Sequence, residues 1–231
     1  MKPVHSLIQA ALITLIIANS PFTSAQSGKQ LNENLDRHGL PMSSRETSIS
    51  NTLSYALRRA NLPGGIVVSS YCEGVRTHSL KPANDTLRAL LDAAAAAEPD
   101  YGWTVDNGVV NWIPRYDESK FLNTTITKLE ISDAQTTSAA LEELLTLPEV
   151  QKQARFELGV RTVTGGLYGY NVSGKKVETK RISVSARALT VREALNAIAR
   201  ADGNGIWILI RGECLAPDGR KFFSLDFVNG N

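Results

Sequence analysis
Charge of one sign is what this chain of 231 residues most clearly lacks: 25 Lys and Arg stand against 23 Asp and Glu. Divided after Arg115, the chain beyond residue 25 carries nine basic and nine acidic side chains in its first part, then 15 and 14. A nucleic-acid-binding surface needs a basic face or stripe to neutralise phosphates, and neither part supplies one. No nucleic-acid partner is expected. Long apolar runs are also missing beyond residue 18, whereas a helix crossing ~30 Å of hydrocarbon needs roughly twenty apolar residues. No membrane-spanning segment is expected after that point. Catalytic signatures are missing too: the G-x-S-x-G elbow, H-E-x-x-H, G-x-G-x-x-G and the full phosphate-loop pattern do not occur. The nearest approach, residues 165–174 (GGLYGYNVSG) followed by Lys175-Lys176, leads into an expected strand, so no helix N-terminus would face a phosphate. The sequence therefore assigns no catalytic residue and no cofactor.

Cysteine is scarce, with Cys72 and Cys214 alone. Together with His38 and His78 they have no ligand-pair spacing, so no structural metal site is expected. Cys72 and His78 could be read as a thiol and its base. They lie six residues apart on locally extended chain, and no third orienting residue is evident.

One uncharged segment is out of character. Residues 7–18 (LIQAALITLIIA) follow Lys2 and precede Thr23-Ser24-Ala25-Gln26, small residues spaced as a cleavage site requires. This reads as a secretory signal peptide over residues 1–25, with an uncleaved anchor as the alternative. The expected location is periplasmic or secreted. In that oxidising setting Cys72 and Cys214 are expected to form a disulfide. It would close a loop of about 140 residues, worth roughly 5 kcal/mol in chain-entropy terms. Two buried free thiols are the alternative, because spacing alone does not bring the Cα atoms together.

Residues 26–47 are polar without apolar period and are expected to be extended or disordered. Ile49, Leu53, Ala56, Leu57 and Ala60 then share a helical face, with Ser48 or Ser50 as cap and Pro63-Gly64-Gly65 as stop. A short strand is expected at 66–69. Asp85-Thr86 cap a second helix whose apolar face is Leu87, Leu90, Leu91, Ala94 and Ala97. Residues 101–114 read as a hairpin about Asn107-Gly108, since both central turn positions need positive φ. Residues 125–132 alternate as a strand, a third helix carries Ala140, Leu141, Leu144 and Leu145, and Pro148 ends it or opens a further turn. Residues 156–164 and 176–185 read as a long hairpin. Thr190-Val191-Arg192-Glu193 is a capping box opening the fourth helix, and strands are expected at 206–210 and 221–228.

Sliding the chain by 104 residues sets Thr86 on Thr190, Arg88 on Arg192, Leu91 on Leu195, Trp103 on Trp207 and Gly108 on Gly212. Trp and Gly carry most of the weight, because both are scarce and the spacing from cap to Trp to turn is kept. The expected architecture is an α+β fold of two related small modules, 48–115 and 124–229, each with two helices packed on short strands and hairpins. Coincidence between two amphipathic helices is the competing reading. Trp103 and Trp207 are expected in the core. Trp112 has no counterpart at residue 216; core packing is the first reading for it, and an aromatic contact site formed with Tyr101 is the alternative.

The runs TLRALLDAAAAAEPDYGWTVDNGVVNWIP and SARALTVREALNAIARADGNGIWILI resemble the second half of the secretin and TonB short N-terminal domain. That resemblance implies small α/β modules on the periplasmic side of outer-membrane machines, binding other proteins. Such domains recognise partners through surfaces, so no catalytic residue follows from it. The expectation is a non-enzymatic, exported cell-envelope protein with a protein partner. A binder of a small peptide or glycan through Tyr101, Trp112, Tyr168 and Tyr170 is the second reading, and an unrecognised hydrolase the third.

Overall fold
Side-chain caps start four of the helices, as polar residues with spare oxygens do where backbone amides lack partners. In the computed structural model, which describes residues 24–35, 48–71, 78–116, 119–158, 181–213 and 221–228, Ser48 accepts from the amide of Asn51 and opens α2 (Ile49–Arg59). Thr86 opens α3 (Leu87–Ala97), Thr136 opens α4 (Thr137–Thr146) and Thr190 opens α6 (Val191–Asp202). Thr190 and Glu193 form the reciprocal capping box the sequence announces. Pro148 takes the first position of α5 (Pro148–Leu158), where its missing N–H costs nothing.

Among the described residues seven strands complete the α+β fold: β1 (Gly64–Tyr71), β2 (Tyr101–Asp106), β3 (Val109–Pro114), β4 (Thr125–Ala134), β5 (Ile182–Thr190), β6 (Ile206–Glu213) and β7 (Lys221–Val228). Five form one sheet in the order β2-β3-β1-β6-β7. β1 is central and parallel to both neighbours, and the outer strands β2 and β7 are antiparallel to theirs. The sheet thus draws three strands from residues 48–115 and two from 124–229. One hairpin meets β1 through its second strand, β3, and the other through its first, β6. β4 and β5 form a separate antiparallel pair.

Side chains alternate across a pleated sheet, so neighbouring residues of β1 serve different cores. Ile66 packs with Leu53, Leu57, Leu90 and Trp112 under α2 and α3. Val67 packs with Leu144, Leu195, Trp207 and Leu225 on the opposite face. There α4 and α6 lie between the large sheet and the β4–β5 pair, giving four layers. Burial on both faces explains why residues 206–210 are all apolar. No helix among the described residues is long and apolar enough to cross a membrane.

Several expectations are corrected. Residues 24–32 form α1 (Ser24–Asn32) within the stretch expected to lack regular structure, because Leu31 and Leu35 bury against the α2–α3 core. Gly64 and Gly65 belong to β1 and do not merely stop a helix. The Trp207 indole lies over Gly65, and a Cβ there would come within 2.2 Å of the ring. Residues 156–158 of the expected long hairpin are helical, residues 159–180 lie outside the described residues, and β5 runs to Thr190 and pairs with β4. Asn107 (φ 51°) and Gly108 (φ 85°) form the expected tight turn. Of the expected signal segment, residues 1–25, residues 1–23 lie outside the described residues, and Ser24 and Ala25 open α1.

Candidate functional site
Tyr101 and Trp112 are brought together by the β2–β3 hairpin, with rings stacked at 5.5 Å and 8°. Trp112 is only 2% exposed and belongs to the α2–α3 core, so its ring face is not open to a ligand. Tyr101 is half-buried, and its hydroxyl accepts from the Ser69 amide at 2.9 Å. The pair therefore buttresses the sheet. Tyr168, Tyr170, Cys72 and Cys214 lie outside the described residues. Tyr71 and Glu213, which directly precede the two cysteines, are register partners across parallel β1 and β6. His78 Nε2 lies 3.0 Å from Glu98 Oε1, without hydrogen-bond alignment. No group of three or more His, Cys, Asp or Glu is gathered for a metal among the described residues.

Positions 104 residues apart repeat a hydrogen bond. Trp103 Nε1 donates to Asp92 Oδ1 at 2.9 Å, and Trp207 Nε1 donates to Asn196 Oδ1 at 2.8 Å. Each tryptophan thus pins its strand to the helix before it. The environments differ: Trp103 is partly exposed on edge strand β2, whereas Trp207 is fully buried. An ionised carboxylate suits the solvated pair and a neutral amide the buried one, because an isolated buried charge is costly.

The helix faces beside these bonds also differ. Arg88 lies over the Trp103 ring at 5.2 Å, and its Nε donates to Asn32 Oδ1 at 3.0 Å. Arg192, at the matching position, lies over no ring among the described residues, and Trp207 is fully buried. Arg192, Asn196 and Arg200 instead line a groove of about 530 Å³ between α6, β5 and the β2–β3 turn. Across it stand Asp106 and Asn107, and Ala186, Leu189 and Ala197 supply apolar lining. Each lining carboxylate has one oxygen held by protein donors. Glu193 Oε2 accepts from Thr190, and Asp106 Oδ2 accepts from Thr104 and from Asn111. Arg200 donates only to the Asn107 carbonyl, at 3.3 Å, and the Arg192 guanidinium has no partner among the described residues.

Sequence alone does not single out Asn196 and Arg200. The available signals are the four-residue spacing of positions 192, 196 and 200, which places them on one helix face, and the Asp-to-Asn change within the 104-residue match. A second hollow, of about 840 Å³, lies along α5 and is lined by Lys120, Gln151, Lys152 and the exposed Phe156.

Comparison with protein-family models, curated proteins and solved structures gives no match to this chain.

Proposed function
We propose that this chain is a non-enzymatic, exported cell-envelope protein that binds a protein partner by strand addition to its large sheet. The observation that carries this reading is β7. All eight of its residues pair with β6 in unbroken register, it contains no proline or bulge, and no described residue pairs with its other edge. Sheet edges are usually blunted by proline, bulges, charged side chains or short length, and of these β7 carries only the charges of Lys221 and Asp226. An eight-residue edge without bulge or proline offers backbone donors and acceptors to an incoming strand. The resemblance to secretin and TonB short N-terminal domains agrees with such a role.

A Cys72–Cys214 disulfide belongs to the exported reading; both cysteines lie outside the described residues, and the residues that precede them, Tyr71 and Glu213, are register partners across β1 and β6. Thiol labelling of the unfolded protein before and after reduction tests this. Labelling only after reduction is expected, and full labelling beforehand would exclude the bridge.

The partner-binding reading is tested with a photo-crosslinking amino acid at Ser224 on β7, compared with one at Lys128 on the β4–β5 pair, in envelopes of the source cell. Discrete protein adducts from position 224 and none from 128 are expected. Absence of adducts at 224, or the same adducts from both positions, would overturn it.

A further inference from the structure
We propose that the outer face of α5, formed by Lys152, Arg155 and Phe156 with Lys120 beside it, is a docking surface for an acidic, extended segment of a protein partner. This inference rests on the partner-binding reading above and specifies the partner's chemistry.

The charge of this face is of one sign. Val150 and Ala154 bury the inner side of α5, and the three- and four-residue spacing of positions 152, 155 and 156 sets Lys152, Arg155 and Phe156 together on its exposed side. With Lys120 they border the hollow of about 840 Å³, which has three cations and no carboxylate among its described lining residues. The near-balance of charge kept over the whole chain is therefore absent here. Neither Lys152 nor Arg155 has an acceptor among the described residues. Glu149, on the same helix, is turned to β4, where its Oε1 accepts from the Thr127 amide at 3.2 Å. Guanidinium and ammonium groups without acceptors bind carboxylates through charge-assisted hydrogen bonds.

Two further observations favour a protein segment over a small anion or a lipid surface. Phe156 is 76% exposed and Lys120 Nζ stands over its ring at 6.0 Å, so an apolar contact lies among the cations. A phosphate ion would leave that ring in water. A helix that lies on lipid buries an apolar face in the bilayer, and the apolar side of α5 is already buried in the core. The second observation is position. The hollow lies at the β7 end of the large sheet, where a partner strand would add: α5 packs on β7, and Phe121, next in the chain to Lys120, meets Phe223 of β7 edge to face at 5.3 Å. A strand paired with β7 turns alternate side chains to the α5 side of the sheet, and acidic residues at those positions meet the cations.

The test titrates the purified, isotope-labelled protein with the pentapeptides Glu-Glu-Leu-Glu-Glu and Gln-Gln-Leu-Gln-Gln, with inorganic phosphate and with phosphatidylglycerol vesicles. Saturable shifts of the Arg155 Nε–H, the Lys152 amide and the Phe156 ring signals are expected with the acidic peptide alone. Lys152→Gln and Arg155→Gln should each weaken binding about threefold, the scale of an exposed ion pair. Combined with Lys120→Gln they should remove it, whereas Lys29→Gln on α1 should leave it unchanged. All four positions are exposed, so urea unfolding of the variants should match that of the parent. Equal binding of the glutamine peptide or of phosphate would overturn the acidic segment as ligand, and equal binding to the vesicles would overturn it in favour of a membrane. No saturable binding, or equal weakening by Lys29→Gln, would overturn the surface itself. Crosslinking at Ser224 separates the two proposals. Adducts at 224 without peptide binding would overturn the α5 surface alone, and peptide binding without adducts would overturn strand addition alone.

Discussion

The helices α3 and α6 begin with the same cap, bury the same face and hold a tryptophan eleven residues past an Asp or Asn, yet they end in different environments. α3 lies over the outer half of the sheet and α6 on its opposite face, below the β4–β5 pair. Layering makes the difference. An element covered on one side can keep a solvated carboxylate and an arginine stacked on an indole. One covered on both sides needs a neutral amide, and the arginine beside it is left facing a groove.

That contrast can be broken first at the tryptophans. Trp207→Ala should cost about 3–5 kcal/mol, the range for emptying a large buried site, and Trp103→Ala less than half of that. Urea unfolding of both variants measures the difference, and equal losses would mean that the two rings are equivalently packed. The hydrogen-bond partners should follow the same order with smaller effects. Asn196→Ala strands a buried indole N–H and should cost about 1–3 kcal/mol, whereas Asp92→Ala acts at a solvated pair and should stay within about 0.5 kcal/mol. The arginines reverse the order. Arg88→Ala should lose about 0.5–1 kcal/mol with its ring contact, while Arg192→Ala should leave the unfolding midpoint unchanged.

Much of this arrangement is legible in the residues. Caps at Ser48, Thr86 and Thr190, the Asn107-Gly108 turn and the apolar run at 206–210 mark their elements directly, because each is a local requirement of backbone chemistry. The 104-residue match leads to the pair of Trp–Asp and Trp–Asn bonds. What local patterns do not carry is the partner of a strand. Nothing near Gly64-Gly65 announces that β1 runs between β3 and β6, since the reason for Gly65 is a ring 142 residues away. Trp112 shows both sides of this: core packing is its first reading from the sequence, but that α2 and α3 supply the cover is not written near it. The groove on α6 is long-range as well, for its far wall is the turn at Asn107.

Residues 48–115 and 124–229 share one sheet through β1, and that sheet should open as a single cooperative unit. Native-state hydrogen exchange tests it most directly, followed in rising urea at the amides of β1, β3 and β6. Cooperative core strands exchange through the same global opening. The prediction is that protected amides of all three strands converge on one unfolding free energy, and that Trp207→Ala lowers them equally. Amides of β3 that keep their full protection while those of β6 lose theirs would contradict it.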